Sequence, residues 1–520
     1  MYKNNFFVIK LRRKITRSKI TATIGPASSS EEMLKQLFKE GVDVVRLNFS
    51  HGTHDQHEEN INKIRSISDD IAILGDIQGP KIRTGPMDEK DPIILLQHGQ
   101  KFTITSRDVI GTKDITSTTY KNLPNEVDEG EMLYINDGII ALKVLEIKRI
   151  NDNGAKPKKT AKKNDMTGKT DIICEVLAGG NLSSRKGINI PGEISQRVPT
   201  KKDIADLKFM AKKNLDFVAA SFISEPEDVI NVRKVIEDAG ASIPIISKIE
   251  RPQAIRKFDE ILQVSDGIMI ARGDLGVELR PELVPSVQKQ LILKCNRAGK
   301  PVICATQMLE SMTTIPIPTR AEASDVYNAI YDGADAVMLS GESATGKHPI
   351  KAVEMMERII RISEEDMLAR NPDYYDSDYT TNAEIIGHTI HTIVKQFEER
   401  MEQHPESPEY LDGILVITKS GFAARMVSKY RPKLQIIAAT FDEKIKRQLK
   451  LSWGVKPIVL PMTPDHLTTT YIAVEQAYEM GYLTETGFII IVSGSVLSPK
   501  KSANTIGVYL VKDVLNFGKV

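Results

Sequence analysis

Apolar and polar positions follow two rhythms along this chain. Short, nearly continuous β-branched runs, as expected of parallel strands covered on both faces, alternate with longer stretches carrying apolar residues at helical spacing and charge on the opposite face. Eight such runs precede residue 350: Lys19–Ile24, Asp43–Phe49, Ile71–Ile77, Phe217–Ile223, Pro244–Glu250, Gly267–Asp274, Pro301–Gln307 and Ala334–Glu342. Between them, segments such as Glu32–Lys39, Glu225–Asp238 and Pro281–Ala298 read as amphipathic helices. Eight strands alternating with helices predict a closed (β/α)8 barrel.

The rhythm breaks once. Roughly 140 residues separate the third run from the fourth, far more than one helix and two loops need. An inserted small β domain is expected over 86–191, with short strands at Pro92–Leu96, Lys101–Thr105, Met132–Ile135, Ile139–Ile150 and Asp171–Leu177. It carries a lysine-rich tract, AKPKKTAKK, in which no aromatic residue is interleaved; a solvated loop is expected rather than a nucleic-acid patch. The Pro-, Asp- and Tyr-rich stretch NPDYYDSDY marks a linker at 369–382. Beyond it, helices alternate with strands at Gly413–Thr418, Leu434–Thr440, Pro457–Leu460, Phe488–Ser493 and Ile506–Val511, which predicts an open α/β domain over 383–520. The barrel then comprises 18–85 and 192–368, preceded by a basic arm at 1–17.

Composition narrows the function classes. The 70 Lys and Arg against 69 Asp and Glu, in 520 residues, leave a net charge of +1, so no overall field favours nucleic acid or an anionic membrane. Three cysteines (Cys174, Cys295 and Cys304), none in a CxxC pair, argue against a disulfide framework or a structural zinc site. No apolar run approaches the roughly 18 residues of a spanning helix. The first thirty residues hold seven basic side chains and no acid. A plain basic arm on a cytoplasmic protein is expected, with an organelle leader as the alternative.

In a (β/α)8 barrel the C-terminal ends of the strands build the active site. Here those ends are polar: Arg46, Asn48, Ser50 and His51; Asp76; Lys248 and Glu250; Arg272 and Asp274; Thr306 and Gln307; Ser340 and Glu342. Any one of these could be a cap or a salt bridge, but six polar strand ends together point to a site. Lys248 and Glu250, two apart, point to the same side of one strand. Glu250 and Asp274 offer hard carboxylate oxygens with no His or Cys nearby in sequence, which suits Mg²⁺ better than zinc. Arg46 and Lys248 could hold a phosphoryl group while charge develops on it.

These residues lie in segments that resemble the pyruvate kinase family: SKITATIGPAS, VVRLNFSHG, GPKIRTG, SRKGINIPG, ISKIE, MIARGDLGVE, CATQMLESM, PTRAEASDV and MLSGESA, in family order. The resemblance runs from about Ser18 to Val511 and implies a barrel, a lid inserted after the third strand and a C-terminal α/β domain. It implies phosphoryl transfer from phosphoenolpyruvate to ADP, giving pyruvate and ATP, in a homotetramer that binds neither nucleic acid nor membrane. Lys248 would stabilise the transferring group; Glu250 and Asp274 would bind Mg²⁺, or Mn²⁺ in its place. Ala271, Arg272, Gly273, Asp274 and Thr306 would hold phosphoenolpyruvate, with Thr306 near the protonation path and Arg46 on phosphate. Asn48, His51, Arg83 and Lys186 would line the nucleotide side, and Asp137 resembles a lid residue that meets Arg83 on closure.

Two departures from the commoner family pattern stand out. Ile77 and Lys81 occupy positions usually held by Thr and Glu, beside a monovalent-cation position formed by Asn48, Ser50, Asp76 and the carbonyl of Ile77. A lysine there resembles the potassium-independent branch, with Lys81 as the replacement charge. The loop Thr418, Lys419, Ser420, Gly421, Phe422 and Ala423 resembles an effector-phosphate loop at a helix N-terminus, without the hydroxyl often found at the last position. Two rival readings are a metal-dependent aldolase or lyase, which would not need Arg46, Lys186 or a lid, and an inactive scaffold, against which the intact Lys248, Glu250, Asp274 and Thr306 argue.

Overall fold

A computed structural model describes residues 16–136, 138–150, 169–190, 192, 194–370, 381–404, 409–463, 465–494 and 505–517. Asp137, the AKPKKTAKK tract, most of the basic arm and most of the expected linker lie outside the described residues.

Eight parallel strands close into a barrel in the order Lys19–Thr23, Ala336–Leu339, Val302–Ala305, Gly267–Ala271, Ile245–Ile249, Phe217–Ala220, Ala72–Asp76 and Val42–Asn48. Helices cover its outside, packing Leu34, Leu37, Val229, Val232 and Ile330 against the outward side chains of the strands. Several helices start on the signal their sequence carries: Thr53, Thr200 and Thr319 each form a reciprocal capping box with the residue three positions on. The barrel interior is apolar at its base, where Val44, Leu74, Ala219, Ile246, Met269, Ile303 and Met338 meet. Two residues further along the same strands, the period-2 alternation brings Arg46, Asp76, Ser221, Lys248, Ala271, Ala305 and Ser340 to the upper mouth. Five of these seven positions are polar, so most strands switch from core to polar side chains at their C-terminal ends.

The strands are shorter than the apolar runs suggest. The run Gly267–Asp274 is strand only to Ala271, and Arg272–Glu278 is a helix. The neighbouring strand ends at Ala305, paired with Ala271, so the next amides have no ladder partner and the chain winds up instead. The other site residues likewise sit at or just past strand ends.

Between the third and fourth barrel strands lies a six-stranded sheet, in the order Ile188–Asn189, Met132–Ile135, Ile140–Arg149, Thr170–Ala178, Lys101–Thr105 and Ile115–Ser117, with a separate pair, Ile93–Leu96 and Gly180–Ser183. It has its own core around Phe102, Leu133, Leu142 and Val176. The C-terminal sheet runs Val455–Val459, Gln435–Thr440, Leu411–Ile417, Phe488–Ser493 and Thr505–Leu510; its last strand is antiparallel and apolar cores cover both faces. Leu451 from this C-terminal region joins the apolar cluster inside the barrel. Beside it, buried Arg431 donates to Asp335 Oδ1 at 2.9 Å, Asn296 Oδ1 at 2.8 Å and the Gly333 carbonyl at 2.8 Å, joining the two bodies. Among the described residues no helix is long and apolar enough to cross a membrane.

Candidate active site

Arg46 projects from the second strand at the barrel mouth. Its Nε donates to Asp76 Oδ2 at 2.7 Å and its Nη1 to Thr23 Oγ1 at 3.1 Å. Asp76, almost fully buried, also accepts from Ser221 Oγ at 3.1 Å and lies 3.4 Å from Lys248 Nζ. Lys248 in turn donates to Ser221 Oγ at 2.6 Å and stands 2.9 Å from Glu250 Oε1. Two cations and two carboxylates therefore alternate across the mouth, on rigid strand ends.

Burial opposes the charges on Asp76, Lys248 and Glu250, and pairing overcomes it for the first two. Burial would raise Asp76, but Lys248 and Arg46 outweigh it and hold the carboxyl below its ordinary range. Burial would lower Lys248, but Asp76 and Glu250 outweigh it and hold the ammonium above its ordinary value. For Glu250, burial prevails over Lys248, with Asp274 adding to it, and its pKa is raised. Lys248 is thus held as a buried cation at the barrel mouth.

Glu250 Oε2 accepts from the Phe222 amide at 2.7 Å. Phe222 is itself in the left-handed region, φ 59°, with the Arg251 guanidinium 4.9 Å from its ring centre. In the helix that follows the adjoining strand, the Gly273 amide donates to Thr306 Oγ1 at 2.7 Å; a Cβ at Gly273 would stand 3.3 Å from that oxygen, so glycine permits the approach. Thr306 and Gln307 both have positive φ, 68° and 54°, a strained turn of the kind that aims a side chain at a site. Arg272 is buried and turned away, onto the Thr306 carbonyl and Asp325, each within 2.7 Å.

Lys81 pairs with a carboxylate of the neighbouring helix. Its Nζ lies 2.8 Å from Asp274 Oδ1, while Asp76 is engaged by Arg46, Lys248 and Ser221. The lysine expected at the monovalent-cation position is held by a carboxylate of the expected divalent site. Of that position's other members, Asn48 Oδ1 accepts from the Ser50 amide at 3.1 Å and Ile77 is buried. At the root of the inserted sheet, Arg83 bridges Gly187 and donates from Nη1 to the Arg185 carbonyl at 3.0 Å, and the Lys186 amide donates to Thr84 Oγ1 at 2.9 Å. His51 is exposed, its carbonyl accepting from His57 Nε2 at 2.9 Å. Far away, Thr418 Oγ1 accepts from the Gly421 amide at 3.1 Å; Lys419 and Ser420 are exposed ahead of the helix Phe422–Ser428, Phe422 is exposed at its start and Ala423 is half-buried.

One strand-end residue is missed by the sequence pattern, and another plays a different part from its neighbours. Ser221 is the hydroxyl between Lys248 and Asp76, and the inward parity of Phe217 and Ala219 would have pointed to it. Glu342, which its sequence position groups with the polar strand ends, is fully buried and accepts from the Leu309 and Ser340 amides, at 3.0 and 2.7 Å, as a loop anchor.

Family models described as "Pyruvate kinase, barrel domain" and "Pyruvate kinase, alpha/beta domain" match residues 15–353 and 410–509. The chain is 42% identical over 514 residues to a pyruvate kinase of Staphylococcus epidermidis, covering 97% of this chain and 82% of that protein. It is 41% identical over 511 residues to a pyruvate kinase of Staphylococcus aureus, with the same coverage, and 41% identical over 508 residues to pyruvate kinase 2 of Synechocystis, covering 96% of this chain and 80% of that protein.

Proposed function

The chain belongs to the pyruvate kinase family and is an enzyme that forms pyruvate and ATP from phosphoenolpyruvate and ADP; from that premise we propose how its residues divide the work. The observation that carries the reading is the Arg46–Asp76–Ser221–Lys248–Glu250 chain at the barrel mouth.

Lys248 and Arg46 hold the phosphoryl group. Asp76 lies behind both cations and orients them, and Ser221 fixes the lysine's approach. Because the cations are already paired and immobile, little reorganisation is needed as charge builds on the phosphoryl oxygens. Ala271, Arg272, Gly273 and Asp274 supply the turn against which the substrate carboxylate rests, and Thr306 Oγ1 is fixed over it by the Gly273 amide, at the protonation side. Asn48, His51, Arg83 and Lys186 face the nucleotide.

Glu250 and Asp274 would hold a Mg²⁺ ion, or Mn²⁺: both offer hard carboxylate oxygens, with Glu250 Oε2 tied to the Phe222 amide and the ammonium groups of Lys248 and Lys81 standing at Glu250 Oε1 and Asp274 Oδ1. Such an ion would neutralise phosphoryl charge when bound. Lys81, next to Asp274, keeps a unit charge in the site at any salt composition, which supports turnover without K⁺. The working form is a cytoplasmic homotetramer with the inserted sheet as its lid, and Thr418–Ala423 is the candidate seat of a phosphate-bearing effector. A coupled assay for pyruvate formation, with Mg²⁺ present, removed by chelator and restored, tests the assignment; undiminished turnover under chelation would sink the metal role.

A further inference from the structure

Among the described residues, the lid sheet and the helix that carries Asp274 meet at a polar contact. Asn189 ends the short strand Ile188–Asn189, which pairs with Met132–Ile135 of the lid sheet. It is 3% exposed, and its Nδ2 donates to Glu278 Oε1 at 3.3 Å. Glu278 closes the helix Arg272–Glu278 and stands four residues after Asp274, so the two carboxyls lie along one helix face. Asn189 follows Lys186 by three residues and Gly187, the bridge partner of Arg83, by two. One amide–carboxyl pair therefore spans from the nucleotide-side strand to the metal-side helix.

The surroundings of this pair are incompletely satisfied. Asn189 Oδ1 and Glu278 Oε2 are buried without hydrogen-bond partners, and so are Nε and Nη1 of Arg251, the residue after Glu250. Buried unpaired polar atoms each cost about 1–3 kcal/mol, and clusters of them in native proteins mark places serving more than packing. A hinge that must alternate between two arrangements is one such place.

Resting on the phosphoryl-transfer reading, we propose that Glu278 is a positioning residue: through Asn189 it ties the strand that returns from the lid to the Asp274 helix, so that lid closure and alignment of the metal-side carboxylate occur as one event. Glu278 touches no reacting atom in this scheme. Its effect reaches the chemistry through Asn189 on one side and through the helix on the other.

The full-length Glu278→Ala, Glu278→Gln, Asn189→Ala and double Glu278→Ala/Asn189→Ala variants test it. Each alanine variant should lower kcat about tenfold and raise KM for ADP, with the Kd for phosphoenolpyruvate in a direct titration within about twofold of wild type. The double variant should be no worse than either single one, because both remove the same tie. Glu278→Gln keeps an oxygen for Asn189 Nδ2 and should stay within about threefold of wild type. Multiplying losses in the double variant, or wild-type kinetics in both single ones, would overturn the tie. Amide hydrogen exchange in the resting protein needs no activity: exchange at Ile188–Asn189 and Met132–Ile135 should speed up in Glu278→Ala, and unchanged exchange would overturn the tie whatever the turnover. A wild type without turnover would speak against the assigned reaction instead.

Discussion

The ammonium of Lys81 lies 2.8 Å from Asp274 Oδ1, which ties the residue marked by sequence as a stand-in for a monovalent cation to the carboxylate marked as a divalent ligand. A unit charge about 4 Å from a phosphoryl oxygen is worth about 4 kcal/mol at an effective dielectric of about 20. The tether matters because it fixes that charge without an ion from solution.

Wild-type turnover should therefore change little when K⁺ is added to a buffer held at constant ionic strength with tetramethylammonium. Lys81→Glu should be poor without K⁺ and partly restored by it. Because the new carboxylate would face Asp274, this variant should also bind Mn²⁺, followed by electron paramagnetic resonance, more tightly than wild type. Strong K⁺ activation of wild type contradicts the assignment.

Lys248→Met should lose about 10³–10⁵ in turnover, as expected for a cation on a transferring phosphoryl group. It should also lose stability, since removing a buried cation leaves Glu250 without its ion-pair partner and Asp76 with Arg46 as its one remaining cation among the described residues. Breaking a buried ion pair from one side costs on the order of 3 kcal/mol. Thermal melting should show the drop, and Mg²⁺ should recover part of it. An unchanged melting temperature with lost turnover would mean that the carboxylates find other partners.

Glu278 gives the resting protein a pH dependence of definite sign. Burial is the main cause raising its carboxyl from 4.5 to about 7; Arg251 and the Asn189 bond oppose it, and Asp274 and Glu250 reinforce it. The folded state thus binds a proton that the unfolded chain releases near pH 4.5, so this group's contribution falls as pH rises through the window from about 4.5 to 7. Without added metal, Glu278→Gln should be more stable than wild type at pH 8 and close to it at pH 4.5. The same difference at both pH values would refute the titration.

Lys456 carries the opposite sign at the junction of barrel and C-terminal sheet. Burial and then the neighbouring Lys19 lower it from 10.5 to about 7, with Lys450 adding to this and Asp43 and Glu364 opposing. The unfolded chain binds more protons between about pH 7 and 10.5, so the lysine costs stability that is recovered as pH rises. Lys456→Met should raise the melting temperature at pH 7 by a few degrees and by less at pH 10. A larger gain at pH 10 would reverse the argument.

The barrel was legible because its strands are covered on both faces, which leaves apolar runs that no surface segment imitates. Their ends were not: hydrophobicity continues through Gly267–Asp274, but hydrogen bonding stops where the neighbouring strand stops, at Ala305. In the insertion, Ile115–Ser117, Gly180–Ser183 and Ile188–Asn189 went unseen because two to four residues are too few to show a period of two. Among site residues, Lys248 and Glu250 could be paired from spacing on one strand. The Lys81–Asp274 contact could not, because it joins positions 193 residues apart through the geometry of the lid root. Ser221 and Asn189 are short polar residues whose meaning depends wholly on what stands opposite.

The placement of the inserted sheet has a consequence for how the chain reaches its native state. Strand Ala72–Asp76 must wait for Phe217–Ala220 to pair with it, so a chain emerging from its N-terminus holds three strands with an open edge until the whole insertion has been made. Closing so long a loop costs little at equilibrium, about 0.6 kcal/mol per doubling of length, but distant pairings form slowly. The insertion shortens the search. Its separate core lets it collapse by itself, and the stem contacts, Thr84 amide to Lys186 carbonyl at 2.8 Å and the Arg83–Gly187 bridge, then clamp its two ends together. Residues at the mouth of the nucleotide side would thus act first as a staple for the seam between the third and fourth strands.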